Sequence, residues 1–256
     1  MGEFNMEKKY VISDYRISEE SIDNLNKYGI NVIKTTPLKC LYEAVNGHPD
    51  MQLHYFERSN ELLCAKEAYN YYKTVIPKGI NLICDKEVLK DKYPYDILYN
   101  SAVIGNHVIC NEKYTSKELL DKYKLDGKKI INVKQGYAKC SIAVIGQNAA
   151  ITADEGIYKR LINSGIDTLK IQPGSIKLNT MSYGFIGGCC GLIKKNLLAV
   201  NGNLNLHPQS REIINFCEKH NVNIVELSKN NLYDIGSIIA IYNISSENTI
   251  TKYNKS

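Results

Sequence analysis

Hydrophobic and polar positions between residues 133 and 174 follow a pattern whose period changes along the segment. Short apolar runs at 141–145 and 149–152 flank a polar turn at 146–148, which is typical of a hairpin. Asp154 then has the character of a helix N-cap, and apolar residues recur at helical spacing through 157–162. Gly165 ends the helix, and a third apolar run follows at 166–171. The segment therefore predicts strand, turn, strand, helix and strand.

Similar units recur along the chain. The helix stops are Gly29, Gly79, Gly127, Gly165 and Asn221, which lie 50, 48, 38 and 56 residues apart. A strand is predicted after each stop, at 30–34, 80–84, 129–133, 166–171 and 222–227. The predicted hairpins begin with strands at 51–56, 97–104, 141–145 and 183–193. A recurring unit of this length indicates an array of similar α/β units.

The two ends of the chain complete each other in this pattern. The first unit lacks one strand of its hairpin, and the chain ends with an unpaired apolar strand at 235–241. We predict that this strand pairs beside 10–13, which would close a ring of five units and leave no exposed sheet edge. An open solenoid, a doubly wound sheet and a helix-only fold are the alternatives, but the short strands with Gly-Asn turns favour hairpins.

Length and composition fit one globular domain over residues 6–245. Residues 1–5 are interpreted as a scar left by cloning and 246–256 as a polar tail. The net charge of +5 is spread along the chain, so we do not expect a nucleic-acid partner. No apolar run reaches the length of about 18 residues that a membrane helix requires, so we do not expect a membrane partner either.

Eight cysteines occur, most of them inside apolar runs, where a reduced cysteine behaves as a small hydrophobic residue. They predict a reducing, cytoplasmic compartment. The chain has no CxxC pair and no histidine at zinc-binding spacing, so we expect neither a metal nor another cofactor. Cys189 and Cys190 lie in a glycine-rich predicted strand, in which neighbouring side chains should point to opposite faces.

Five such units closed by a terminal strand resemble the pentein fold, the α/β propeller of the guanidino-group-modifying enzymes. The phrases G-Y-A-K-C-S (136–141), G-F-I-G-G (184–188) and D-I-G-S-I (234–238) look like those of an uncharacterised clostridial-type subgroup. The resemblance implies a cysteine nucleophile in the final unit, a histidine in a Gly-His-x-Asp motif and two carboxylates that hold the guanidinium. Here the final-unit position, residues 233–238, contains no cysteine. A Gly-His-x-Asp sequence does occur, but after the first unit, at 47–50.

Cys140 is the candidate nucleophile, because the neighbouring Lys139 ammonium would stabilise its thiolate. His48 is the candidate general acid/base. If the segment is extended, as its proline favours, His48, Asp50 and His54 are placed so that they could share one face. In the alternative interpretation, Cys140 is the first core residue of its strand and His48 and Asp50 belong to a loop turn.

Asp50 and Asp234 are the candidate substrate carboxylates, since a planar guanidinium donates bidentate hydrogen bonds to such groups. Tyr137 and Lys139, beside the candidate nucleophile, would also contact the substrate. Asp154, by contrast, is explained by helix capping alone.

Three functions fit these observations. The first is a pentein-like hydrolase or transferase that acts on a small guanidino or amidino compound at the propeller axis. The second is a small-molecule-binding protein that keeps the propeller without the chemistry. The third is a protein-interaction module, which predicts a broad exposed apolar or basic face and no axial pocket. Fold alone does not choose among them.

Overall fold

A computed structural model describes residues 8–242, with side chains from Tyr10 to Ile241. The predicted scar at 1–5 and the predicted tail at 246–256 lie outside the described residues. Within the described range, the strands form five separate three-stranded sheets rather than one doubly wound sheet. No helix of that range is both long enough and apolar enough to span a lipid bilayer.

The strands in chain order are β1 (Lys8–Ser13), β2 (Asn31–Lys34), β3 (Leu53–Phe56), β4 (Glu61–Cys64), β5 (Asn81–Cys84), β6 (Ala102–Ile104), β7 (His107–Cys110), β8 (Lys129–Asn132), β9 (Ile142–Val144), β10 (Ala149–Thr152), β11 (Asp167–Lys170), β12 (Cys190–Lys194), β13 (Leu197–Val200), β14 (Asn223–Glu226) and β15 (Ile239–Tyr242). The α-helices are α1 (Glu19–Asn26), α2 (Pro49–Gln52), α3 (Lys66–Val75), α4 (Lys117–Leu125), α5 (Ala138–Ser141), α6 (Glu155–Asn163) and α7 (Ser210–Lys219).

Four sheets share one topology. Their orders are β3-β4-β5, β6-β7-β8, β9-β10-β11 and β12-β13-β14. The first two strands of each are antiparallel, and the last two are parallel, with a helix between them. In the remaining sheet, β1 pairs in parallel with β2 and antiparallel with β15, where Val11 faces Ala240. The predicted pairing of the last strand beside the first is therefore confirmed.

Four of the five predicted helix stops have the left-handed backbone that the sequence indicated. Their φ angles are +73° at Gly29, +71° at Gly127, +77° at Gly165 and +57° at Asn221. The stop predicted at Gly79 is wrong, because α3 has already ended before Pro77, which cannot continue a helix. The strands that follow the stops lie within the predicted segments.

Each sheet shares buried apolar residues with its neighbours, and the fifth shares them with the first. The residues that illustrate these contacts are Ile12, Leu63 and Val108 among the first three sheets, Ile109 and Ala150 between the third and fourth, Ile151 and Leu198 between the fourth and fifth, and Val11 and Ala199 between the first and fifth. The apolar interior is therefore divided among the interfaces between sheets.

The first strand of each hairpin is shorter than predicted, because a tight turn precedes it. β3 begins at Leu53 because α2 forms one helical turn, with Pro49 at its first position. β9 begins at Ile142 after the single turn of α5, and β12 begins at Cys190 after a 3-10 turn. The expected extended segment at 48–54 and the placement of Cys140 in a strand are therefore wrong. A four-residue turn is too short for a 3.6-residue period to be visible in the sequence.

Two further side-chain placements differ from the predictions. The thiols of Cys189 and Cys190 both donate to the carbonyl oxygen of Ile186, at 3.2 and 3.1 Å, because the 3-10 turn interrupts the expected alternation. His54 does not point with Asp50, since its Nε2 lies 2.7 Å from the hydroxyl of Tyr123. Burial lowers the pKa of His54 to about 4, so this imidazole is neutral at physiological pH.

Candidate active site

The turns that precede the first strands of the sheets bring polar side chains together. Asp50 lies in α2, Asn100 lies before β6, Cys140 lies in α5 and Ser237 lies before β15. All four are buried. Four distant parts of the chain thus contribute to one cluster because each occupies a similar place in its unit.

The Asp50 carboxylate is the hub of this cluster. Its Oδ2 accepts hydrogen bonds from the Cys140 thiol at 2.8 Å and from the Ser237 hydroxyl at 3.0 Å. Its Oδ1 is buried and has no hydrogen-bond partner among the described residues. Burial raises the pKa of Asp50 to about 6, against the lowering effects of His48, the Cys140 hydrogen bond and Lys139.

The Cys140 thiol is positioned through the backbone of α5. The side-chain oxygen of Asn100 accepts from the backbone N–H of Lys139 at 2.7 Å and from that of Cys140 at 3.3 Å. The Asn100 amide also lies 3.5 Å from the Cys140 sulfur. Asn100 therefore fixes both the turn and the sulfur that it carries.

The structure reverses the expected ionisation of Cys140. Burial, followed by the charges of Asp50 and Asp234, raises the pKa of this thiol well above its usual range. Lys139 lies next to it in sequence, but its ammonium donates to the Ser237 hydroxyl at 3.2 Å. The expectation of a thiolate stabilised by Lys139 is wrong for the protein without a ligand.

His48 and Asp234 complete the cluster. His48 Nδ1 lies 3.9 Å from Asp234 Oδ1, and neither ring nitrogen of His48 has a hydrogen-bond partner among the described residues. The Asp234 oxygens accept from the backbone N–H groups of Phe185 at 2.8 Å and Gly236 at 2.9 Å. A His48 nitrogen, the Cys140 sulfur and an Asp234 oxygen all lie within 4.8 Å of one another.

Glycine is required where the backbone passes this cluster. A Cβ atom at Gly188 would overlap the Asp234 carboxylate, and one at Gly236 would overlap the His48 side chain. Gly236 also has a φ of +67°, and Ser237 follows with a φ of +77°, which is unusual for a residue that is not glycine. Close approach to Asp234 therefore explains Gly184 and Gly188 of the glycine-rich segment, whereas Gly187 and Gly191 lie against backbone carbonyl groups.

Aromatic side chains lie beside the cluster. The Tyr137 hydroxyl donates to Asp96 Oδ2 at 2.9 Å and lies 2.9 Å from the hydroxyl of Tyr42. The Tyr137 ring lies between those of Tyr93 and Phe185, with centroid separations of 5.5 and 6.4 Å. Tyr137 thus links the helical turn of Cys140 to a further buried carboxylate, that of Asp96.

A cavity of about 920 Å³ also borders the cluster. It is lined by residues from the first strand of each hairpin sheet and from β15, and it is bordered at the cluster by Asp50 and Lys139. The other residues include hairpin-turn positions such as Arg58 and Asn148. The cavity therefore runs between the five sheets, from the cluster toward the hairpin turns.

His48, Cys140 and Asp234 are also residue types that bind zinc, and their spacing would allow three of them to hold one ion. A cation of either kind, metal or organic, would meet two carboxylates here. A metal ion and an organic cation would therefore compete for this site.

Residues 12–239 match the family of unknown function DUF6873. The chain belongs to this family. No curated protein matches the chain. The narrower likeness to a clostridial-type subgroup stays a prediction.

Solved structures show which fold this DUF6873 chain has. Dimethylarginine dimethylaminohydrolase from Pseudomonas aeruginosa, a Cys-to-Ser mutant complexed with citrulline, matches with a TM-score of 0.55 and 10% identity over 93% of this chain and 100% of that chain. The inosamine-phosphate amidinotransferase of Streptomyces griseus matches with a TM-score of 0.55 and 11% identity over 92% of this chain and 94% of that chain. The agmatine deiminase of C. jejuni matches with a TM-score of 0.54 and 13% identity over 93% of this chain and 94% of that chain. The likeness to pentein structures is confirmed, and at this identity it shows the fold alone.

Sequence reasoning did not single out three residues of this DUF6873 site. Asn100 and Ser237 are common residue types without a motif, and Asp96 lies in a tyrosine-rich loop that carries no catalytic signature. One signal was available for Ser237, since it occupies the final-unit position in which the resemblance implies a cysteine. Asn100 and Asp96 become visible only through their contacts with α5 and Tyr137.

Proposed function

We propose that this protein is a pentein-like hydrolase or transferase that acts on a small guanidino or amidino compound through Cys140. One observation supports the proposal. Side-chain atoms of Cys140, His48 and Asp234 lie within 4.8 Å of one another, and Asp50 accepts a hydrogen bond from the thiol. Nucleophile, candidate proton carrier and two carboxylates are thus within reach of one planar cation.

The cation itself would activate the nucleophile in this proposal. Without it, burial and the charges of Asp50 and Asp234 together keep Cys140 protonated. A guanidinium bound between these carboxylates offsets their charge and favours the thiolate. Asp50 Oδ1, which lacks a partner among the described residues, is available as an acceptor for its N–H groups. Lys139 and Tyr137 border the substrate in this arrangement.

In the first half of the proposed reaction, Cys140 Sγ attacks the amidino carbon and its proton passes to Asp50 Oδ2. The bond from carbon to the leaving nitrogen breaks, and its electron pair stays on nitrogen, which takes a proton from protonated His48. An amine or ammonia leaves, and an S-amidino group remains on Cys140.

In the second half, His48 takes a proton from water, whose oxygen attacks the same carbon. The carbon–sulfur bond breaks, and the sulfur regains the proton held by Asp50. The protonated urea product releases one proton to solvent. In a transferase, an acceptor amine takes the place of water.

A closed propeller is part of the proposal. The pairing of β1 with β15, the apolar contacts from each sheet to the next and the cavity lined by all five sheets support it. That cavity counts against the protein-interaction module, which predicted none. A reducing, cytoplasmic environment also belongs to the proposal, and the eight free cysteines support it.

A second function, ligand binding without turnover, is favoured by one observation. The pKa of Cys140 is raised well above its usual range, whereas a nucleophile must ionise. In this case the cluster would hold a cation between Asp50 and Asp234, and the thiol would serve only as a hydrogen-bond donor.

The test is to incubate the wild type, Cys140→Ala and the control Cys40→Ala with a panel of alkylguanidines and amidines. We expect release of amine or ammonia and a mass adduct on Cys140, both lost in Cys140→Ala and kept in Cys40→Ala. Binding without release or adduct would establish the second function. The absence of binding across the panel would contradict both.

A further inference from the structure

A row of aromatic rings lies beside the reactive cluster. This aromatic row consists of Tyr93, Tyr137, Phe185 and Tyr183, with successive ring centroids 5.5, 6.4 and 6.3 Å apart. Aromatic faces attract organic cations. The proposed reaction does not use this row, although it assigns Tyr137 to the substrate border.

Asp96 supplies a negative charge at the row. It is 0% exposed, and its Oδ2 accepts the hydrogen bond from the Tyr137 hydroxyl. Its Oδ1 is buried and has no partner among the described residues. Because Tyr137 donates to Asp96, Tyr42 must donate to Tyr137. All these hydrogen bonds therefore point toward the carboxylate.

This carboxylate and Cys140 lie near the same pair of tyrosines. Tyr137, which donates to Asp96, is the N-cap of α5, three residues before Cys140. The Tyr42 hydroxyl lies 2.9 Å from that of Tyr137, and, after burial, charges at both Asp96 and Cys140 raise the pKa of this phenol. The loop that carries Asp96 is held against α5, since Tyr93 and Ile97 leave no room for a Cβ atom at Gly136.

Two basic side chains beside this part of the site are already engaged. Arg16 donates two hydrogen bonds to Asp14, and it also donates to the carbonyls of Glu43 and Ala44, on the loop that carries Tyr42. Lys139 donates to Ser237 on the cavity side of the cluster. Among the described residues, neither is therefore free to receive a carboxylate of the ligand at the aromatic row.

We propose that Asp96 and the aromatic row form a second cation subsite. This inference rests on the proposed function and deepens it. The ligand then carries two positive charges, an amidino group at Cys140 and a second cationic group at Asp96, joined by a short aliphatic linker. A carboxylate at the second end would meet the like charge of Asp96 and is rejected.

The experiment compares butylguanidine, 4-aminobutylguanidine and 4-guanidinobutyrate, which differ only at the distal end. Calorimetry with wild-type protein measures the dissociation constant of each. We expect the amine to bind roughly 10- to 100-fold more tightly than butylguanidine, as one added charged hydrogen bond implies. The carboxylate should bind more weakly than butylguanidine.

Asp96→Asn separates the subsite from the reactive cluster, because the amide keeps an acceptor for Tyr137 and removes the charge. It should bind butylguanidine like the wild type and lose the preference for the amine. Asp91→Asn removes an exposed carboxylate from the same loop and should keep that preference.

The outcomes distinguish this inference from the proposed function. If butylguanidine binds but 4-aminobutylguanidine binds no more tightly, the second subsite is wrong and the proposed function stands. The same holds if Asp96→Asn still binds 4-aminobutylguanidine more tightly than butylguanidine. If none of the three compounds binds the wild type, the proposed function fails and the inference fails with it. If circular dichroism shows that Asp96→Asn is folded differently from the wild type, Tyr137→Phe takes its place in the comparison. This variant removes the hydroxyl that donates to Asp96 and should also reduce the preference for 4-aminobutylguanidine over butylguanidine.

Discussion

The thiol of Cys140 donates a hydrogen bond of 2.8 Å to Oδ2 of Asp50, a residue from a different sheet unit. Besides burial, this pair sets the protonation of the cluster. The carboxylate favours the protonated thiol, and the thiol is one of the groups that moderate the raised pKa of the buried carboxyl. Neither residue's ionisation follows from its own sequence neighbours.

The first prediction concerns the reactivity of Cys140. Its raised thiol pKa should make alkylation by iodoacetamide slow near neutral pH. Asp50→Asn removes the nearest negative charge, so the apparent pKa of the thiol should fall by about one pH unit or more and alkylation should become faster. Mass spectrometry of the labelled peptide across a pH series measures the effect.

Cys217 provides the control for this experiment, since it is buried in an apolar cluster away from Asp50. Its alkylation rate should be the same in both proteins. Equal rates at Cys140 in the wild type and Asp50→Asn would show that the carboxylate does not control the thiol.

The second prediction concerns stability and pH. Burial raises the pKa of Asp50 from 3.8 to about 6, so the folded state binds a proton more tightly than the unfolded state. This group therefore favours folding fully at pH below about 4, and that contribution is lost as pH rises through 6. At pH 7 the ionised form costs roughly 2 to 3 kcal/mol.

Asp50→Asn removes this titration. The unfolding free energy of the variant should therefore rise relative to that of the wild type as the pH increases from 4 to 7. Urea denaturation at four pH values in that interval measures both curves. Asp91→Asn, an exposed change, should follow the wild type. Parallel curves for Asp50→Asn and the wild type would contradict a raised pKa.

The sequence predicts more of the fold than of the site. Apolar runs and helix stops indicated the hairpins, the longer helices, the strands that follow them and the pairing of the last strand with β1. These features depend on local patterns, which are readable one segment at a time. The one-turn helices α2 and α5 were missed because four residues are too few to show a helical period.

Site properties depend on contacts between units. Residue types were sufficient to nominate Cys140, His48, Asp50 and Asp234, and the structure places these four side chains in one cluster. The direction of the Cys140 pKa shift was not readable, because sequence adjacency suggested Lys139 as its electrostatic partner. The positioning role of Asn100 exists only through backbone N–H groups of another unit.

The third prediction uses two glycines with similar backbones. Gly236 and Gly29 have φ angles of +67° and +73°, but only at Gly236 would a Cβ atom overlap His48. Gly29→Ala should cost about 1 kcal/mol of stability from backbone strain alone and should keep ligand binding. Gly236→Ala should cost more and abolish binding, as measured by urea denaturation and calorimetry. Equal costs and retained binding would show that the contact with His48 does not shape the site.

The last prediction concerns Asn100, which positions α5 without touching the substrate in the proposed arrangement. Asn100→Ala leaves the backbone N–H groups of Lys139 and Cys140 without their acceptor, at a cost of about 1 to 3 kcal/mol for each buried group. We expect turnover to fall at least tenfold, with a smaller effect on KM, because the sulfur moves relative to His48.

Asn100→Asp separates positioning from charge. The aspartate keeps an acceptor for both N–H groups, so the turn should be retained, but its negative charge should raise the pKa of the Cys140 thiol further. The pH profile of turnover should therefore shift to higher pH in Asn100→Asp, whereas Asn100→Ala should lower turnover across the profile. If Asn100→Asp instead behaves like Asn100→Ala at every pH, Asn100 contributes only to the general stability of the fold.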